Sequence, residues 1–109
     1  MNQRIEAYLE KYPNETAAMY RQVRQLIYES TESEPLETMW AAMPTYSVGE
    51  RFVRLILFRD HLNIEAKAAV AHREELKGYK FTPKGMLQIY LNQEIPADVL
   101  KRIFEKTLG

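Results

Sequence analysis

The groups in this chain best suited to chemistry are a run of carboxylates, two histidines and a set of aromatic residues. Glu29, Glu32, Glu34 and Glu37 fall close together. Clustered carboxylates attract hard cations, and oxygen ligands suit Mg, Ca, Mn or ferrous iron. An exposed, flexible cluster would hold iron only weakly. Its spacing matches no defined metal loop, so the competing reading is a solvated connection that favours solubility. Charge is uneven in the same sense. The first 40 residues hold seven acids and four bases, net −3, and the remainder holds eight acids and eleven bases, net +3.

His61 and His72 are the only histidines, and Cys is absent. Zinc usually takes about three or four His or Cys ligands, so carboxylates would have to complete any zinc site. His72 and Glu75 stand three apart in a helix-forming run and could share a face. Such pairs are common on solvated helix surfaces, and a solvated pair is the expectation. Asp60-His61 is a fragment of an acid–base site. Catalysis would need a substrate proton in reach and, for a triad, an activated serine. No G-x-S-x-G elbow surrounds Ser30, Ser33 or Ser47. The pair reads better as a turn-former before a half-buried imidazole, and the chain as a non-enzyme. Gly49, Gly78, Gly85 and Gly109 are too dispersed for a dinucleotide fingerprint, and Lys84-Gly85 lacks the rest of a P-loop.

Fifteen basic and fifteen acidic residues give zero net charge. Nothing here resembles the basic footprint of a phosphate-backbone binder, so nucleic acid is not an expected partner. Trp40, Tyr46, Phe52, Phe58, Tyr79, Phe81 and Tyr90 all fall in candidate strands. Strand alternation would gather Trp40, Phe52, Phe58 and Tyr90 on one sheet face. An apolar surface rimmed by polar groups marks a site for a protein partner, a peptide or a second copy of the chain. Ordinary core packing is the equal alternative, since aromatics favour strands.

The elements that must position these residues follow from periodicity. Ile5, Tyr8, Leu9 and Tyr12 predict a short helix before Pro13. Asn14 reads as the N-cap of a second helix, whose apolar face is Met19, Val23, Leu26 and Ile27 and which ends near Ser30. Thr38 to Met43 reads as a strand stopped by Pro44. Tyr46–Val48 and Arg51–Asp60 predict a hairpin around Gly49-Glu50. Leu62–Glu65 follows as a strand after a tight Asp60-His61 turn. Residues 66–77 predict a helix ended by Gly78. Tyr79–Thr82 and Met86–Leu91 predict two strands around a type I turn at Pro83-Lys84-Gly85. Pro96 opens a last helix with the stripe Val99, Leu100, Ile103, Phe104 and Leu108.

The order is two helices, four strands, a helix, two strands and a helix. That is the α+β class: an antiparallel sheet of about five to six strands with helices mainly on one face. Residues 1–109 are one domain by length. Val53, Leu55 and Leu57 should face the helices, with Phe52, Arg54, Ile56 and Phe58 opposite. No apolar run approaches the ~20 residues of a membrane span. With no secretory signal or lipidation motif, the expected compartment is the cytoplasm.

Three blocks carry a family resemblance. Trp40-Ala41-Ala42-Met43-Pro44-Thr45-Tyr46 resembles the tryptophan/glycine–methionine–proline–aromatic block of the YdhG-like domains. Phe58-Arg59-Asp60-His61 is similar to that family's aromatic–basic–x–His block. Met86-Leu87-Gln88-Ile89, followed by Asn92-Gln93-Glu94-Ile95-Pro96, resembles its closing strand and the start of its last helix. The blocks occur in the family's order and span nearly the whole chain. Tyr90 and Glu65-Ala66-Lys67 depart from the family pattern. The resemblance implies a compact α+β domain with a curved antiparallel sheet. Most of the family has no known function, and one branch has been proposed as a frataxin-like intracellular iron chaperone. If the shared blocks are functional, Trp40, Met43, Tyr46, Phe58, His61 and Gln88 are the positions concerned. Two readings result. One is a weak iron carrier using the four glutamates. The other is a partner-, peptide- or self-binding module on the aromatic face, including Tyr90, with homodimerisation as one form.

Overall fold

The computed structural model describes residues Met1–Gly109. Helix α1 spans Gln3–Leu9 and α2 spans Asn14–Glu29. Strands β1 (Leu36–Trp40), β2 (Met43–Val48), β3 (Arg51–Leu57) and β4 (His61–Ala66) follow. A 3-10 helix covers Val70–Leu76, then come β5 (Lys80–Phe81), β6 (Leu87–Tyr90) and α3 (Ala97–Leu108). The strands form one antiparallel sheet in the order β1-β2-β3-β4-β6-β5. This is the expected α+β architecture in the expected element order.

The sheet faces differ as strand alternation requires. Val53, Leu55 and Leu57 of β3 are buried, as are their cross-strand partners Ala66, Ile64 and Leu62 of β4. Leu87 and Ile89 of β6 continue that layer. Met19, Val23 and Ile27 of α2 and Leu100, Ile103, Phe104 and Leu108 of α3 pack on it. The core is thus a single layer between one sheet face and the helices.

Four local expectations are corrected. Asn14 does not cap α2: Pro13 occupies the N-cap and no side chain makes the capping bond. The strand expected over 38–43 is split by a two-residue turn. Ala41 and Ala42 have φ of 49° and 63°, the left-handed geometry of a type I′ hairpin. Pro44 lies inside β2 rather than ending a strand. The turn makes Trp40–Met43 the hydrogen-bonded closing pair, so Met39–Pro44 is a non-hydrogen-bonded pair that requires no N–H from proline. Pairing to β3 begins only at Thr45, so the nitrogen of Pro44 interrupts neither ladder. The turn before β4 is Arg59-Asp60, closed by the Phe58 N–H donating to the His61 carbonyl at 2.9 Å.

The fourth correction concerns residues 66–77. Ala66 belongs to β4, and the helix is 3-10 with a kink at His72. Good helix formers do not decide here. Ala69, His72 and Leu76 are all buried, and the first two, three residues apart, align on one face of a helix with three residues per turn.

Edge strand β1 is partly shielded. The Asn2 side-chain amide donates to the Glu37 carbonyl at 3.3 Å, occupying an acceptor on the strand. The Ala41-Ala42 turn carries strain, because alanine disfavours positive φ. Replacing Ala41-Ala42 with Asn-Gly should raise stability by about 1 kcal/mol. Urea denaturation checks this, and unchanged stability would show that the turn is relaxed.

Candidate functional site

The sheet face away from the helices carries the sequence-predicted surface. Leu36 and Trp40 of β1 project there, exposed to 65% and 56%. At its centre Arg54 of β3 lies between two rings. Its guanidinium carbon is 4.3 Å from the Trp40 centroid and 4.0 Å from that of Phe52. Arg54 also donates to Thr45 Oγ1 at 3.3 Å and pairs with Glu65 at 3.4 Å. Each contact follows from register: Arg54 stands opposite Thr45 on one side and Glu65 on the other. Cations over rings contribute about 0.5–1 kcal/mol at such partly exposed positions.

A second cluster lies towards β6. His61 stacks on Phe58, with centroids 4.4 Å apart and planes 4° apart, and on Tyr90 at 4.5 Å and 23°. His61 and Tyr90 are cross-strand partners, which brings the rings together. The Lys80 ammonium sits 5.6 Å from the Tyr90 centroid. Gln88 donates to Asn63 Oδ1 at 3.1 Å, again between cross-strand partners. Thr16 of α2 donates to the Arg59 carbonyl at 2.7 Å and so anchors the turn that presents Phe58 and His61.

Asp60 Oδ1 lies 2.8 Å from His61 Nδ1, and this hydrogen bond holds the Asp60 carboxyl below its usual range. The geometry orients the imidazole as an acid–base pair would. Both ring faces are occupied by Phe58 and Tyr90, so a ligand could meet only the ring edge.

Of the predicted surface, Trp40, Met43, Phe58, His61, Gln88 and Tyr90 share this face or its border. Tyr46 does not. It points into the helix-covered core, fully buried, with its hydroxyl 2.6 Å from that of Tyr20. The alternation of Thr45 and Ser47 against Tyr46 and Val48 was the signal for this placement, and Pro44 obscured it. Arg54 and Asn63 are the residues whose importance the sequence left unmarked. Their positions between apolar strand neighbours put them on the outer face.

The four glutamates do not form a site. No group of three or more His, Asp or Glu side chains is placed to hold a metal ion. Glu29 pairs with Lys101 at 3.4 Å. Glu32 and Glu34 form no ion pair, while Glu37 turns inward to join a polar network. Arg24 donates to Glu37 Oε2 at 2.6 Å, and the Asn2 backbone N–H donates to Oε1 at 2.9 Å. Desolvation pushes the Glu37 pKa up, but bonds from Arg24, Asn2 and Tyr46 outweigh it and leave the carboxyl below its ordinary value. Burial, foremost, drives the Tyr20 and Tyr46 pKa values far above the usual tyrosine range.

His72 is also corrected: it is buried rather than solvated. Its Nδ1 lies 2.7 Å from Glu75, which Arg102 of α3 also contacts. The other ring nitrogen, Nε2, is buried and has no hydrogen-bond partner.

No protein-family model, curated protein or solved structure matches the chain. The likeness to the YdhG-like domains therefore rests on the three sequence blocks. No helix is long and apolar enough to cross a membrane.

Glu37→Gln should cost about 2 kcal/mol at neutral pH, since Arg24 loses its charged acceptor. The depressed pKa fixes the pH dependence. The Glu37 contribution is complete above the unfolded carboxyl value of about 4.3 and is lost as pH falls through the lower folded value. Denaturation of both forms across that acid range should show their difference shrinking; a constant difference would contradict the assignment. Ferrous iron, titrated anaerobically, should shift amides of residues 29–37 no more than magnesium does.

Proposed function

We propose that this chain is a non-catalytic docking domain and that its open sheet face binds a second copy of itself. The observation that carries this reading is the distribution of exposed apolar side chains. Leu36, Trp40 and Phe58 are among the few large hydrophobics left in water, and all three belong to this face. Aromatics and arginine are the residue types enriched where proteins meet.

Charge selects the occupant. Arg54 is paired with Glu65, and the Asp60 carboxylate is matched by the Lys80 ammonium near Tyr90, so the face presents little net charge. A nearly neutral surface does not repel its own copy, and a two-fold interface uses the same patch on both subunits. A phosphate backbone would find few free cations at the centre of the face. The rings are held by stacking and by Arg54, so little side-chain freedom remains to be lost on association.

The iron-carrier reading has less support, because the carboxylates it relies on stand apart and one is committed to Arg24. Sedimentation velocity over a concentration series tests the docking reading. A concentration-dependent dimer is expected, weakened at least tenfold by Trp40→Ala or Tyr90→Ala while the urea midpoint changes little. A monomer throughout the micromolar to millimolar range would overturn it, as would equal losses of association and stability.

A further inference from the structure

A cleft of about 760 Å³ opens at one end of the sheet, beside the Arg54 cluster, whose Phe52 and Glu65 border it. Its origin is topological. The β4–β6 ladder stops at Ile64–Leu87, whereas β4 remains paired to β3 as far as Ala66. The two chain segments part beyond that point, and the gap is bounded by the ends of β3 and β4, the start of the 3-10 helix and the turn before β6.

Three cations line this gap: Arg51, Lys67 and Lys84. None of them takes part in any of the ion pairs of the molecule. Two carboxylates also border it. Glu65 is engaged by Arg54, and Glu50 forms no ion pair. With Glu65 neutralised by Arg54, three positive charges face one negative charge. Phe52, Val70 and Met86 supply apolar wall. Val70 is 46% exposed, so its methyl groups are accessible from the gap.

The walls are held in place. Thr82 accepts from the Gly85 N–H through its carbonyl at 2.9 Å and from the Met86 N–H through Oγ1 at 3.0 Å. These bonds lock the turn that carries Lys84. The Ala68 N–H donates to Thr107 Oγ1 at 3.2 Å, which ties the segment carrying Lys67 to α3. Gly85 has φ of +92°, and a Cβ there would lie 3.0 Å from the nearer Val70 methyl. The bare glycine backbone therefore makes room for Val70 in the lining of the gap.

We infer that this cleft binds a small organic anion, its charged head held by Arg51, Lys67 and Lys84 and its apolar body resting on Phe52, Val70 and Met86. Its volume is in the usual range for small-ligand sites. Arg51 offers a planar fork for a carboxylate or phosphate, and the lysines add point charges. Phosphate and carboxylate heads share this chemistry. The inference does not depend on self-association through the open face.

Nitrogen-15 NMR titration of the full chain with phenyl phosphate and, separately, phenylacetate tests it. Saturable shifts are expected at Arg51, Lys67, Gly85 and Met86, with a dissociation constant on the order of 1 mM for ligands this small. The preferred head group identifies the anion. Inorganic phosphate and benzyl alcohol should each bind at least tenfold more weakly than the better ligand. The exposed double variant Lys67→Gln/Lys84→Gln should weaken binding at least tenfold with the remaining amide spectrum intact. No saturable shift with either anion would overturn the inference. Inorganic phosphate binding as tightly as the better ligand would also overturn it, as would unchanged affinity in the double variant.

Discussion

Helices cover one face of the six-stranded sheet, and the residues of the other face must satisfy one another or meet a partner. That constraint organises the molecule. On the covered face, burial of Val53, Leu55, Ile64, Leu87 and Ile89 against α2 and α3 supplies the apolar driving force for folding. On the uncovered face, no such layer exists. Arg54 is inserted between Trp40 and Phe52 and tied to Glu65, while Phe58, His61 and Tyr90 stack in series. Both arrangements shield ring surface with neighbours instead of helices. They also leave Trp40 and Phe58 partly in water.

The helical layer is fastened to the sheet by polar contacts as well as apolar ones. Glu37 accepts from Arg24 of α2 and from the backbone of Asn2, joining the N-terminus, a helix and an edge strand at one carboxylate. Tyr20 and Tyr46 place their hydroxyls together beside it. The Leu57 N–H donates to the Tyr8 hydroxyl at 2.9 Å, which secures α1 to the end of β3. A buried carboxylate without these donors would be costly. With them, Glu37 stays ionised and acts as a structural anchor. The same inward turn removes it from the neighbouring glutamates, so sequence proximity does not become a metal site.

Much of the fold was legible because its signals are periodic and local. The alternation of Arg51–Leu57 separated core from outer face, and Pro96 with the stripe down to Leu108 marked the last helix. The outer aromatic cluster was legible for the same reason, with Trp40, Phe52, Phe58 and Tyr90 assigned to one face. Failures came where tertiary context overrode a local rule. Pro44 reads as a strand breaker, yet register places its missing N–H where no ladder needs it. Ala41-Ala42 contains none of the usual type I′ residues, yet the hairpin holds both at positive φ. The alanine-rich run after β4 favours an α-helix by propensity, but burying Ala69, His72 and Leu76 between two strands imposes a 3-10 path.

The sequence by itself determined the class, the element order and the apolar face of each long element, because those depend on patterns within a few residues. Only the tertiary structure decided which side chains meet. Arg54 finds Trp40, Phe52 and Glu65 through strand register, and Glu37 leaves its neighbours for Arg24 through the approach of α2 to β1. Arg51, Lys67 and Lys84, distant along the chain, border one gap because two strand ladders end at different levels. Cross-strand contacts and cleft geometry arise from the pairing of distant segments, and the physical chemistry of a short sequence window contains no term for that pairing.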